Sequence, residues 1–433
     1  MRALQFLLSA TVVLVLGALL SAQRGQLFTQ SREHPAIQYS SRKATDRVAL
    51  LNDKLASGAV ALAFDADNGY LRSVLQALQV PIESQSLVFA QTSSQGSLIN
   101  RRNPRALYFN DAVAVGWVRG APQLELAAQD PELGAIFYTL EQRQAEKPGF
   151  KRDDTCLQCH QTPDTLNVPG LFVMSVFSVP DEKDKYSYAT GEAMDHRSPL
   201  SDRWGGWYVT GHSPERHLGN LPIAATPAAV KRASRELDSV KGELDGRGYL
   251  SLESDIGALM VLEHQAHMTN LLTRMGWEAR VALAGPRVNA SSAASRNRGG
   301  SADPLKGAAE EFVDYLLFID EAPLSGPVRA SSRFAQKFAE QGPTDSAGRS
   351  LRQLGLEQRL MRYPCSYMIY SDAFEALPGS AKEAVYERMW HILSGREKAA
   401  AYARLSMRDR RAIVEILKET KRNLPDYFAT PAQ

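Results

Sequence analysis

Leu107-Tyr108-Phe109-Asn110-Asp111-Ala112-Val113-Ala114-Val115-Gly116-Trp117-Val118 changes the period of the chain. Two short β-prone runs, Leu107–Phe109 and Val113–Val118, flank Asn110-Asp111, a pair that favours tight turns. The pattern continues with Leu124-Glu125-Leu126 and then Ile136-Phe137-Tyr138-Thr139-Leu140. Gly120-Ala121-Pro122 and Asp130-Pro131 punctuate these runs. The turn spacing predicts a β-meander of about four strands across Arg105 to Gln142. Lys147-Pro148-Gly149 then leads directly into Cys156-Leu157-Gln158-Cys159-His160.

That CxxCH reads as a c-type haem attachment site. Two thiols at i and i+3 can form thioethers to the two vinyl groups of one haem, and the following His is placed to ligate the iron. The chain has only 3 Cys and 8 His, so an accidental match is improbable. Half a zinc site would need two more ligands, and Cys365 is distant in sequence. A redox CxxC wants a βαβ context that is absent here. The expected assignments are Cys156 and Cys159 for covalent attachment of one haem c, and His160 as the proximal iron ligand.

Upstream, Met1-Arg2 precedes an apolar run from Ala3 to Ala22, densest from Leu7 to Leu20. Residues 1–22 read as an export signal or an uncleaved N-terminal anchor. Either places the rest of the chain outside the cytoplasm, periplasmic or anchored to the inner membrane facing the periplasm. Gln23 to Ser40 is polar and extended. Apolar spacing predicts short helices over Ala44 to Ser57 and Asn68 to Leu78.

Downstream of the motif, strands are expected at Leu171 to Val179, Ser187 to Thr190 and Gly206 to Thr210. The Trp204-Gly205-Gly206-Trp207 segment suggests close backbone approach, to a haem edge or between core aromatics. From Thr226 onward the character is helical. Helices are expected at Ser254 to Gly276, Lys306 to Ile319, Ser331 to Glu340, Leu351 to Met361, Ser366 to Ala376, Ser380 to Leu393 and Met407 to Lys421. Residues 286–303 read as a flexible loop rich in Ser, Asn, Arg and Gly. The expected class is α+β: a β-meander-containing N-terminal half with the haem motif (44–220) and a mainly α-helical half (226–425).

A balance of 50 Lys and Arg against 48 Asp and Glu, net +2, shows no basic run that would read as a nucleic-acid surface. The chain is about four times longer than the ~100 residues of one ordinary domain, enough for a small electron carrier, which points to catalysis or partner docking.

The sixth iron position decides between moving electrons and binding a small molecule. On the wheel of Ser254 to Gly276, Ile256, Met260, Val261, Met268, Leu271 and Leu272 share a face with His264 and His267. His264 is the first candidate for distal ligand, and His196 and His267 are weaker ones. Each could instead be a hydrogen-bonded core histidine. Arg197 and Arg203 could meet haem propionates. His212 and His217 are expected at the surface. Met194 is the better methionine candidate, with Met174 expected to pack in a strand. Cys365, near an expected helix start, reads as a small buried hydrophobe or a low-pKa thiol.

Several stretches carry a resemblance. They are Arg105-Ala106-Leu107-Tyr108-Phe109-Asn110-Asp111, Asp195-His196-Arg197-Ser198-Pro199, Arg203 through Gly211, Leu262-Glu263-His264-Gln265, and Arg362-Tyr363-Pro364-Cys365-Ser366-Tyr367. With the CxxCH, they make the chain similar to a group of large exported bacterial mono-haem c-type proteins, over about residues 100 to 395. The resemblance implies haem and export, favours His264 over His267, and supplies no substrate. The expected function is electron transfer through a covalent haem with a redox partner protein. Two alternatives stand beside it. One is a haem enzyme with an open distal site acting on peroxide or a nitrogen oxide, using His196 and Arg203. The other is a haem-based sensor or scaffold.

Overall fold

The computed structural model describes residues 26–180, 186–223, 235–285 and 304–429. The fold is α+β, with a six-stranded antiparallel sheet in the N-terminal half and helices mainly in the C-terminal half. The sheet follows chain order: β1 (Ser86–Val88), β2 (Arg105–Phe109), β3 (Val113–Trp117), β4 (Gln123–Asp130), β5 (Gly134–Glu141) and β6 (Lys151–Arg152). The four middle strands are the expected meander, and a short strand is added at each edge.

Register sorts the side chains of this sheet onto two faces. Tyr108 opposes Val115, which opposes Leu126, which opposes Tyr138. These residues are buried with α1 (Arg47–Ala56) and α2 (Leu71–Ala77) in one core. Asp46 caps α1, accepting from the amides of Val48 and Ala49, and its other oxygen accepts from the Tyr138 hydroxyl at 2.6 Å. The opposite face carries Leu107, Gly116 and Glu125 in one row and Ala114, Ala127 and Phe137 in the next. The CxxCH turn, α3 (Leu157–His160), packs on that face against Phe137.

β7 (Val173–Pro180) and β8 (Tyr186–Met194) form a separate hairpin, and β9 (Gly211–His212) pairs with β10 (Arg329–Ala330). α4 (Ile256–Ala284) is buried on nearly every side through its first five turns, as expected of a central core helix. α5 (Pro304–Leu316), α6 (Phe334–Glu340), α7 (Asp372–Glu375), α8 (Gly379–Leu393) and α9 (Met407–Thr420) complete the helical half. The larger apolar core centres on α4 and also takes in Val173, Val176, Trp204 and Trp207. It therefore draws on residues from both sides of position 220.

Three expected elements differ. Leu351 to Met361 is a turn rather than a helix: Leu354 bridges Met361, and Leu356 turns the chain at φ +54° next to Gly355. Ser366 to Ala376 is split into a 3-10 turn (Tyr367–Tyr370) and α7, because Ser371 caps a new start. Gly206 to Thr210 makes isolated bridges, Trp207 to Val88 and Thr210 to Asp255, instead of a ladder. Residues 235–255, in the stretch read as helical, form turns and bridges. Residues 1–22 and the 286–303 loop lie outside the described residues. Among the described residues no helix is long and apolar enough to cross a membrane.

Candidate functional site

The CxxCH turn is built locally. The Asp153 carboxylate accepts from the Thr155 amide at 3.0 Å and starts a 3-10 turn that runs into α3. Buried Leu157 anchors the turn, and Cys156 and Cys159 are both free thiols. Spacing of i and i+3 sets the two on one side of the turn. Cys156 is half-buried and Cys159 exposed. Burial, with Asp153 and Glu125 nearby, pushes the Cys156 thiol up to about 11.

His160 is held more tightly than its thiol neighbours. Its Nδ1 lies 3.0 Å from the Gly170 carbonyl oxygen. A carbonyl only accepts, so the ring proton resides on Nδ1 and the lone pair on Nε2. The Gly170 amide in turn donates to the His160 carbonyl at 2.9 Å. Phe137 and Phe172 flank the imidazole at 4.7 and 5.4 Å between ring centres. Desolvation pulls its pKa below the usual histidine range, against the Gly170 bond, and so favours the neutral ring. Glycine at position 170 leaves room for α4, since a Cβ there would lie 2.1 Å from the Asn270 Oδ1 and displace that side chain. The same Asn270 side chain accepts from the Leu171 amide at 3.0 Å and donates to the Leu171 carbonyl at 2.7 Å. The central helix thus fixes the loop that fixes His160.

A second group of ionisable residues lies around the first half of α4. His264 Nδ1 is 2.7 Å from His196 Nδ1, and its Nε2 is 2.8 Å from Ser366 Oγ. Tyr315 and Phe318 stack on the His264 ring. Glu263 pairs with Arg203 and accepts from the Trp204 indole at 3.2 Å. Arg203 also donates to the carbonyls of Ser198 and His196. Arg197 pairs with Asp195 at 2.6 Å and donates to His267 Nε2 at 3.2 Å. Burial pushes His264 down to about 3 and His267 to about 4. Burial alone would raise Asp195, but Arg197 and His267 outweigh it and hold the carboxylate well below its ordinary range. Burial lifts Glu263 to about 7 against the opposing pull of Arg203.

The structure therefore brings His196, His264 and His267 together, with partners different from those of His160. The hydrogen-bond and ring partners of His264 are His196, Ser366, Tyr315, Phe318 and Tyr367. Those of His160 are Gly170, Phe137 and Phe172. No residue is shared, and both His264 nitrogens are engaged. Arg197 and Arg203 are likewise paired within this group. All five stretches that carried the resemblance converge here. The first joins through Asn110, whose carbonyl accepts from Gln265 Nε2 at 2.7 Å, and the last through Ser366 and Tyr367, whose hydroxyl donates to Gln265 at 2.7 Å.

Other expectations are corrected or refined. His217 is buried at 6% exposure, set edge-on to Trp204 at 5.1 Å and pushed down to about 4 by desolvation, because its neighbours Leu218 and Leu221 anchor it against Phe177. His212 is exposed and bridges Glu236 and Asp238. Met194 is buried, and its sulfur accepts from the Trp204 amide at 3.3 Å. The Gly205-Gly206 pair does mark close approach, but to protein: a Cβ at Gly205 would sit 2.4 Å from the Val176 carbonyl oxygen, and one at Gly206 2.7 Å from Ala90. Cys365 is fully buried, and its thiol pKa is raised by burial rather than lowered.

Sequence reasoning missed Gly170, Phe172, Ser366 and Tyr315. Only Gly170 left a signal, as the glycine after Pro169 that closes a loop. Among the described residues, no group of three or more His, Cys, Asp or Glu is placed to hold a metal ion. No family model, no curated protein and no solved structure matches this chain.

Proposed function

We propose that this chain is an exported mono-haem c-type cytochrome that transfers electrons, with haem attached through Cys156 and Cys159 and its iron ligated by His160. The observation that carries the reading is the hydrogen bond from His160 Nδ1 to the Gly170 carbonyl, one residue after two free thiols. A metal-binding histidine commonly donates its other ring N–H to a carbonyl, which sets the tautomer and ring orientation. Here that bond leaves the lone pair on Nε2, on the side of the ring away from the Gly170 carbonyl, burial favours the neutral ring, and Phe137 and Phe172 flank it. The exposed Cys159 and half-buried Cys156 leave both sulfurs within reach of attachment chemistry. When bound, haem supplies an iron centre that takes up and releases one electron.

The test is expression with a c-type haem maturation system, followed by a haem stain on a denaturing gel and intact mass. The wild-type chain is expected to carry one covalent haem in the periplasmic fraction, and Cys156→Ala/Cys159→Ala none. A wild-type chain without covalent haem sinks the reading. A covalent but high-spin haem that binds carbon monoxide would assign the chain to the haem enzyme or sensor class instead.

A further inference from the structure

The two faces of the main sheet are covered to different degrees. On the α1–α2 face Tyr108, Val115, Leu126 and Tyr138 are all buried. On the face that carries the CxxCH turn, Leu107, Ala114 and Glu125 are only partly buried, although Leu107 and Ala114 pack against the larger core. Gly116 lies across from Leu107, and Ala127 across from Ala114. Ala127 in turn opposes Phe137, whose ring lies on His160. The sheet beside His160 is thus flat, mostly apolar and incompletely covered.

A guanidinium lies on this face. Arg105 is two residues from Leu107 in β2 and so on the same side of the sheet. A Cβ at Gly116 would lie 2.3 Å from its Nη2 and 2.6 Å from its Nε, so the guanidinium fills the space that a side chain there would take. Glu125 pairs with that Nη2 at 2.6 Å and accepts from Ser94 on its other oxygen. The Arg105 Nε is buried and has no hydrogen-bond partner among the described residues. A buried N–H without an acceptor is costly, and native folds keep few of them. Glu125 stands two residues from Ala127, about 7 Å along the strand. Arg105 and Glu125 both act electrostatically on Cys156 and His160.

We infer that Arg105, held in place by Glu125, is the cation that binds a carboxylate of the haem attached at Cys156 and Cys159. The inference rests on the haem reading above. The unpartnered Nε supplies the donor for a charge-assisted hydrogen bond to a carboxylate. The partly covered sheet face gives an apolar ring system a surface to lie on. Arg197 and Arg203, the arginines expected in this role, are committed to Asp195 and Glu263. Glu125 is a positioning residue, and its charge offsets that of Arg105 near the iron.

The test uses the full chain matured with haem, comparing wild type with Arg105→Met, Arg105→Lys and Glu125→Gln. Lys337→Met, in an exposed ion pair on α6, is the control. Covalent haem content and far-UV circular dichroism are measured first. The readouts are the haem propionate bending mode in the resonance Raman spectrum and the midpoint potential as a function of pH. Arg105→Met is expected to shift the bending mode and lower the potential at neutral pH, because losing a nearby cation favours the ferric state. Its potential should also gain a pH dependence in the acid range, where the unpaired carboxylate titrates. Arg105→Lys should recover much of the potential but not the bending mode. Glu125→Gln should raise the potential and keep the mode, and Lys337→Met should change neither. A bending mode unchanged in Arg105→Met and Arg105→Lys, whatever the potential does, overturns the assignment and leaves the haem reading standing. Should Arg105→Met fail to mature, Arg105→Lys alone decides. Absence of covalent haem in the wild type overturns both, and the denaturing gel separates the two failures.

Discussion

Two regions of this molecule are rich in the same chemistry and differ in how much of it the fold itself engages. At the CxxCH turn, two thiols are free and the His160 ring is bound at Nδ1 by a carbonyl. Around α4, three histidines, two arginines and two carboxylates bond to one another, and of the His196 ring only Nδ1 is engaged, while its buried Nε2 has no hydrogen-bond partner among the described residues. A histidine on a core helix beside other polar residues has a choice of partners within the fold. One on a short surface turn has few. Judged by the atom left over after internal hydrogen bonding, rather than by residue type or helical position, His160 and His196 each keep Nε2 while both nitrogens of His264 are engaged.

The sharpest way to break this contrast is to remove Arg203. Its guanidinium is 2% exposed and Glu263 fully buried, so Arg203→Ala would strand a buried carboxylate. Urea unfolding is expected to show a loss of about 3–5 kcal/mol, the usual effect of deleting one partner of a buried pair. A loss below about 1 kcal/mol would mean that the α4 group is not a structural knot.

The next comparison sets His264 against His160 in the haem-free chain. His264→Ala removes the partner of His196 Nδ1, leaves Ser366 Oγ with only the Met368 amide, and opens a cavity under Tyr315, at about 2–4 kcal/mol. His160→Ala, on a partly exposed turn, is expected to cost about 1 kcal/mol or less. Equal losses at the two positions would erase the distinction between them.

A third test reads pH. An unfolded histidine takes up a proton near 6.5, whereas folded His217 does so only near 4. Between those values the unfolded state holds the extra proton, so stability falls as pH falls. His217→Phe keeps an aromatic ring against Trp204 and removes the proton. Its unfolding free energy should depend less on pH across this window, by about 1.4 kcal/mol per pH unit. Identical slopes for the two proteins would show that His217 is not held neutral.

The smallest effect is kinetic and leaves stability untouched. In the haem-free native chain an alkylating reagent should label exposed Cys159 first, half-buried Cys156 more slowly, and buried Cys365 only on unfolding. The raised Cys156 thiol pKa, about 11, adds to its delay through the low thiolate fraction. Native labelling of Cys365 at the rate of Cys159 would contradict its burial.

Local pattern determined much of the fold. Alternating β-prone runs with Asn110-Asp111, Gly120-Ala121-Pro122 and Asp130-Pro131 between them specify the meander. Strand period and turn chemistry act over a few residues, so here they could be read without the distant contacts. The long helix around His264 was legible for the same reason, although it runs on to Ala284, since no strong stop intervenes before Gly285. The Leu351 to Met361 turn was not legible. Its apolar spacing imitates a helix, and only the bridge from Leu354 to Met361 selects the alternative.

The candidate site divides in the same way. Sequence by itself determined that Cys156, Cys159 and His160 share one turn, because their separation is covalent. Tertiary structure alone decided that Gly170 would hold the His160 ring, that His196 and Ser366 would engage both nitrogens of His264, and that His217 would be buried against Trp204. Each of the last three depends on contacts between residues far apart in sequence or on burial. Such contacts follow from how the whole chain packs, and no short-range pattern encodes them.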